Sequence, residues 1–148
     1  MKRYSIFLLM MTVLRFDAIA MGAPRSDASQ IDRLLDAIAH VESNHNARAV
    51  GDGGRALGTY QIHRRYWEDG TRFLRVDWSY DQARDPAKAR QVVRAYLLHY
   101  GRGKSVLQKA RIHNGGPRGH RKKATLKYAR KIAEVLERYS ERSRSPRV

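Results

Sequence analysis

The chain has no cysteine in 148 residues, so it has neither disulfides to staple it nor thiolates to bind a metal. Any core must therefore hold by packing alone. Acidic residues are scarce, with 14 Asp+Glu against 30 Lys+Arg and a net charge of +16 at pH 7. That imbalance points to polyanionic partners: nucleic acid, an anionic membrane surface, or the acidic polymers of a bacterial envelope. The apolar run from Ile6 to Leu14 is too short for a stable bilayer-spanning anchor. Internal repeats are absent. His40, His45, His63, His99, His113 and His120 form no HxxxH pair and no His/Asp cluster at ligand spacing. His40 and His45 are five apart, poor geometry for one helix face, so no metal or other cofactor is expected.

A chain of this length suits one domain with a single modest core. Its N-terminus has a basic start (Lys2, Arg3), the apolar run, and a small-x-small site at Ala18-Ile19-Ala20. Residues 1–20 therefore read as a secretory signal peptide, with Arg15 and Asp17 as its imperfections. The protein is then expected to be secreted or periplasmic. Cleavage would remove three bases and one acid, leaving about +14. Residues 21–28 read as a linker, 29–139 as the folded domain, and 140–148 as a basic disordered tail without apolar period.

Within the domain, Ile31, Leu34, Leu35 and Ile38 recur at i, i+3, i+4 and i+7, the stripe of an amphipathic helix ending near Ser43–Asn46. "VGDGGRALG" (50–58) must turn, and "TYQIH" then reads as a short strand, giving a small hairpin or wing. "RRYWEDGTRFL" reads as a short helix with Tyr66 and Trp67 inward. The clearest helix is "DPAKARQVVRAYLLHYG", capped by Asp85, with Pro86 in its first turn and Gly101 as its stop. A shorter helix over about 104–112 leads into a loop, "HNGGPRGH", and the last helix, about 124–139, is expected to bury Leu126, Ala129, Ile132, Leu136 and Tyr139. The fold class is mainly α (α+β), helical with one small β element.

Glu42 lies 4, 7 and 11 residues after Ile38, Leu35 and Ile31, so the apolar stripe ends in a carboxyl. Desolvation and the negative end of the helix dipole both disfavour its charge, and the expectation is a raised pKa, as a general acid requires. The alternative is that the stripe simply ends and Glu42 turns to solvent or to an arginine. Asp52, ten residues on in a glycine-rich turn, is expected to be solvated and ionised, or else to bond its own backbone. Two carboxyls in opposed environments can supply an acid and a stabiliser or nucleophile for glycoside cleavage.

"VES", "DGGRALGTYQIHRRYW" and "ARIHNGGPRGHRKKATLKY" occur in one order over about residues 30 to 132. In that order they resemble the successive motif blocks of invertebrate-type lysozymes. Glu-Ser followed by Gly-x-Tyr-Gln-Ile is also similar to the wider lysozyme and lytic-transglycosylase superfamily. The resemblance implies a lysozyme-like helical domain with a β-hairpin wing beside an active-site cleft. It implies Glu42 as general acid and Asp52 as second carboxylate. It also implies Ser43, Tyr60, Gln61, Tyr66, His113, Asn114, Gly115 and Tyr128 as substrate-binding positions. The strand over 58–62 and the loop over 113–117 are its implied cleft walls: Gln61 offers an amide to sugar hydroxyls and acetamido groups, Tyr60 or Tyr66 a stacking face, and Asn114 with the Gly115-Gly116 backbone a close approach.

Three departures stand beside it. The animal family is rich in disulfides, and His120 falls where it commonly has a half-cystine. The Glu-to-Asp spacing is shorter than the family's. Some members also cleave isopeptide bonds with a Ser and the His of "HNGGP"; here His113 is present but the turn "GGRALG" has no serine, so that activity is not expected.

The expected function is hydrolysis of the β-1,4 bond between N-acetylmuramic acid and N-acetylglucosamine in peptidoglycan, with retention if Asp52 attacks covalently. The partners are peptidoglycan glycan strands and the anionic wall surface, and the protein is expected to act as a monomer. A lytic transglycosylase, using Glu42 alone as acid and base, is the alternative within enzymes. A basic nucleic-acid-binding protein or a catalytically dead wall-binding domain is the alternative outside them. Nucleic acid is the less favoured partner, because no helix shows a recognition pattern and a secreted chain rarely meets it.

Overall fold

The computed structural model describes residues 27–144, leaving the signal-peptide reading of residues 1–20 outside them. Helix α1 (Asp27–Ser43) begins two residues earlier than expected, inside the assigned linker. Its stripe is fully used: Ile31, Leu34, Leu35, Ala37, Ile38 and Ala39 are all buried. Around it pack α3 (Pro86–Tyr100), α4 (Val106–Gly115) and α5 (Leu126–Arg144), while α2 (Arg64–Leu74) packs on α3. The result is mainly helical, α+β, with one buried helix as its axle.

The sheet is a three-stranded antiparallel wing, ordered β1 (Val50–Gly51), β2 (Ala56–Leu57), β3 (Ile62–His63). Val50 pairs with Leu57, and Leu57 in turn with Ile62. The expected strand over "TYQIH" is thus only two residues long, because Thr59, Tyr60 and Gln61 form a turn with Gln61 at φ +47°. This turn is pinned from three sides. The Ser43 hydroxyl donates to the Thr59 carbonyl at 2.8 Å, tying it to the end of α1. The Tyr80 hydroxyl lies 2.7 Å from the Arg55 carbonyl and 2.8 Å from that of Ile62. Gly58 (φ +70°) sits so close to the 80–84 turn that a Cβ would stand 2.3 Å from the Ala83 carbonyl oxygen.

Capping explains most of the helix ends. Asp85 accepts from the Ala87 and Lys88 amides with Pro86 in the first turn, as the sequence indicates. Helix α4 opens with a reciprocal capping box between Ser105 and Gln108. At the end of α1, Asn44 (φ +51°) and His45 (φ +64°) turn left-handed, and the His45 amide reaches back to the Ala39 carbonyl at 3.1 Å. That closing bond stops the helix at Ser43, one residue after Glu42.

Three expectations need correction. Helix α4 continues through Gly115, so His113 and Asn114 belong to its last turn and not to a loop. Leu126 is 46% exposed, because the buried line of α5 is Ala129, Ile132 and Val135, with Leu136 and Tyr139 partly covered. Residues 140–144, assigned to a disordered tail, continue α5: the Ser140 and Ser143 hydroxyls bond back to the carbonyls of Leu136 and Tyr139, and Arg33 reaches across to Leu136 and Ser140.

If Gly58 fixes the wing, Gly58→Ala should destabilise the domain by about 2–4 kcal/mol, from left-handed strain plus the clash with Ala83. Urea-induced unfolding followed by circular dichroism checks this, and an unchanged midpoint would mean that the wing tolerates a different path.

Candidate functional site

A cleft of about 620 Å³ separates the wing from the helices, and Glu42 and Asp52 both line it. Glu42, in the last turn of α1, enters from the core side with its side chain 19% exposed. Asp52, in the 3-10 turn Asp52–Gly54, enters from the wing and is 48% exposed. Its carboxylate is 3.0 Å from Arg55 and 3.4 Å from the His63 ring. The turn that carries it is sharp: Asp52, Gly53 and Gly54 all have positive φ.

Behind Glu42 stands a chain of buried and half-buried groups from the four other helices. His113 Nε2 lies 3.4 Å from Glu42 Oε1, and the Tyr66 hydroxyl lies 3.1 Å from His113 Nδ1. The Tyr66 ring stacks on Tyr96 with centroids 3.6 Å apart, and the rings of His113 and Tyr128 stack at 6.3 Å. The Tyr128 hydroxyl is buried beside the Glu42 carboxylate and interacts with it. Burial pushes both Tyr66 and Tyr128 hydroxyls well above the ordinary tyrosine range, so both keep their protons.

These neighbours overturn the expectation of a raised Glu42 pKa. Burial does push it up, but His113 by hydrogen bonding and charge, then Tyr128, then the Lys131 ammonium, outweigh burial and hold it below its ordinary 4.5. The free site therefore holds Glu42 as a carboxylate. Periodicity foresaw the burial and could not foresee the partners, which arrive from α4 and α5.

Of the other expected site residues, Gln61, Tyr66, His113 and Asn114 line the cleft. His113 is 9% exposed and Asn114 is exposed, so the two adjacent residues differ: Asn114 faces the ligand space and His113 backs Glu42. Four residues do not serve as expected. Ser43 is spent on the Thr59 carbonyl. Tyr60 is 2% exposed, its hydroxyl 3.3 Å from Arg90, and is core and not a stacking platform. Gly115 makes room for Thr125, whose methyl a Cβ would meet at 2.6 Å. Tyr128 lies behind Glu42 and does not line the cleft.

Gly116 and Pro117 line the cleft within the 113–117 segment expected as one of its walls, whereas the sequence reading missed Ala56, His63, Arg65, Asp69 and Tyr96. Arg65, Tyr66 and Asp69 share one face of α2, but among so many charged residues that stretch reads as a solvated surface. Asp69 accepts from the Tyr100 hydroxyl at 3.1 Å and pairs with Arg72. No group of three or more His, Asp or Glu side chains suited to a metal ion occurs among the described residues.

A sequence profile of the Destabilase family matches residues 32–135. A lysozyme from Magallana gigas is 41% identical over 85 residues, which cover 52% of this chain and 58% of that protein's length. A chain in the crystal structure of Aeromonas hydrophila PliI in complex with Meretrix lusoria lysozyme is 30% identical. It superposes with a TM-score of 0.61, covering 70% of this chain and 88% of that one.

Glu42's depressed pKa carries a linkage consequence. A group lowered on folding adds stability above its unfolded value and loses it as pH falls through the folded one. The unfolding free energy of the wild type should thus fall toward that of Glu42→Gln as pH drops below 4.5, read from urea titrations across that range. A gap between the two proteins that stays constant with pH would mean the carboxylate is not held by its neighbours.

Proposed function

This chain belongs to the Destabilase family, and on that premise we propose that it is a muramidase-type glycoside hydrolase acting on peptidoglycan. The observation that carries the reading is the pair of unlike carboxyls in one cleft: Glu42 mostly buried on the helical side, Asp52 exposed on the wing. Glycoside cleavage needs a proton for the leaving oxygen and a negative charge near the oxocarbenium-like carbon. Glu42 is the group enclosed enough to hold and direct a proton. Asp52, paired with Arg55 and open to solvent, is the group placed to stabilise or attack the sugar carbon. Lysozyme is the type case for this division of labour, which is taken over from it and not deduced from the geometry.

The rest of the cleft suits an amino-sugar polymer. The Gln61 amide donates to the Gly58 carbonyl at 2.9 Å, which fixes its orientation and leaves its oxygen for a hydroxyl or acetamido N–H. Asn114 supplies a second amide on the opposite wall. Arg65, exposed at the rim, offers a charge to the carboxylates of muramic acid and its peptide. The net charge of +16 would hold the enzyme on an anionic wall, and action outside the cell agrees with the leader-like residues 1–20.

One observation favours a second reading. Asp52 is held by Arg55 and His63, which would mute a nucleophile, and a lytic transglycosylase would need only Glu42. Mass spectrometry of peptidoglycan digests separates the two. Wild type should release muropeptides with reducing ends, and Glu42→Gln should lose at least about 10³-fold in rate, as removal of a general acid does. Asp52→Asn should fall by a comparable factor in a hydrolase. Anhydro-muropeptides from wild type, with Asp52→Asn still active, would transfer the assignment to a lytic transglycosylase. An active Glu42→Gln would remove the proposal altogether.

A further inference from the structure

Acid catalysis and a carboxyl held in its charged form make opposite demands on Glu42, and the groups behind it offer a way to meet both. Facing the carboxylate are His113 from α4, Tyr128 and Lys131 from α5, and beyond His113 the Tyr66 hydroxyl from α2. Of these, His113 is the group with a ring nitrogen turned to the carboxylate, its Nε2 lying 3.4 Å from Glu42 Oε1. Its other nitrogen is not left to chance, since Nδ1 has the Tyr66 hydroxyl at 3.1 Å.

Resting on the muramidase reading, we propose that His113, oriented by Tyr66, is a positioning residue that shares one mobile proton with Glu42 and returns it to the carboxyl for the acid step. With one proton on the pair, Nδ1–H donates to the Tyr66 oxygen wherever the shared proton sits. It is on Nε2 in the resting site, as an imidazolium beside a carboxylate. Transfer breaks Nε2–H and forms Oε1–H, and no other atom need move. Glu42 then breaks Oε1–H as the leaving oxygen takes the proton, which leaves a neutral imidazole and a carboxylate. The nitrogen left bare is Nε2, and Nδ1–H goes on donating to the Tyr66 oxygen. The water that completes hydrolysis restores the proton to the pair. The Tyr66 oxygen accepts from Nδ1–H in every state, which fixes the tautomer and turns Nε2 toward Glu42, and the stacked Tyr96 ring keeps Tyr66 in place throughout. The 3.4 Å gap is long for transfer, and catalytic contacts of this kind tighten when substrate fills the site.

Such a pair titrates as a unit, and its one-proton state ends where the last proton leaves. A carboxyl ordinarily gives up its proton about two pH units below an imidazole. Removing the imidazole should therefore bring the alkaline limb of activity to lower pH. A fixed cation predicts the opposite: without it, Glu42 would titrate higher and the limb would move up.

The test takes His113→Asn and Tyr66→Phe, the latter keeping its stacked ring in case the former does not fold. Reducing-end release from peptidoglycan is followed against pH, and the Glu42 carboxyl is titrated by ¹³C NMR. For His113→Asn the expected result is a fall in kcat of roughly 10²-fold, KM within about twofold, and an alkaline limb moved to lower pH. Its Glu42 midpoint should rise. Tyr66→Phe should move both in the same directions by less. An alkaline limb unmoved or moved upward in either variant overturns the shared proton, as does a Glu42 midpoint equal to the wild type's. A wild type that releases no sugar ends would sink the muramidase reading instead, and the NMR midpoints would still decide the pairing.

Discussion

A carboxylate at the buried end of the central helix must be compensated, and much of this fold is arranged around that requirement. Helix α1 is sheathed on its apolar stripe, so Glu42 emerges next to the core and not into water. An unpaired charge there would cost several kcal/mol or would neutralise itself. The compensating groups come from three separate elements: Tyr66 on α2, His113 on α4, and Tyr128 with Lys131 on α5. Each sits where its own helix also packs on the core. Placing the acid thus places the helices, and the cleft is the gap the wing leaves in front of it.

Holding this arrangement without disulfides shifts the burden onto close packing and side chain–backbone bonds. The wing has only two-residue strands, too little sheet to be stable alone. It is held by Ser43 bonding Thr59, by Tyr80 beside two wing carbonyls, and by Gly58 against the Ala83 backbone. The segment after α4 is held likewise, with Thr125 bonding the Gly119 and Lys122 carbonyls and Arg111 bonding Thr125. His120, in the same segment, keeps a buried Nδ1 without a hydrogen-bond partner, and the bonds around it do the fastening.

Elements governed by local rules were legible in the sequence. The apolar period of α1, the Asp85–Pro86 start of α3 and the glycine-rich wing follow from spacing, capping and turn chemistry, and they appear where those rules put them. Readings that depended on long-range contacts fared worse. Tyr60 looked like a sugar platform until the fold closed Arg90 and the core around it. His113 and Asn114 looked like loop because Gly-Gly-Pro follows them, yet α4 runs on to Gly115. Glu42's burial was readable from its 4, 7 and 11 spacing, whereas the sign of its pKa shift was not. That sign belongs to His113 and Tyr128, some 70 and 86 positions further along the chain.

The charge distribution completes the account of how such a site meets its substrate. The chain has only 14 acidic residues against 30 basic ones, yet Glu42, Asp52 and Asp69 all line the one cleft. Attraction to an anionic wall is a property of the whole surface and acts over about a Debye length, roughly 8 Å at physiological salt. Sugar rings, by contrast, are neutral, and cleaving between them needs negative charge near a carbon that becomes positive. A uniformly basic protein would bind the wall and oppose the transition state. On the muramidase reading proposed above, setting three carboxyls into the cleft of a strongly cationic chain would separate adhesion from chemistry. Arg55 pairs with Asp52, the His63 ring lies 3.4 Å from it, and Arg72 pairs with Asp69, so each of these two cleft carboxyls has a basic group of its own beside it.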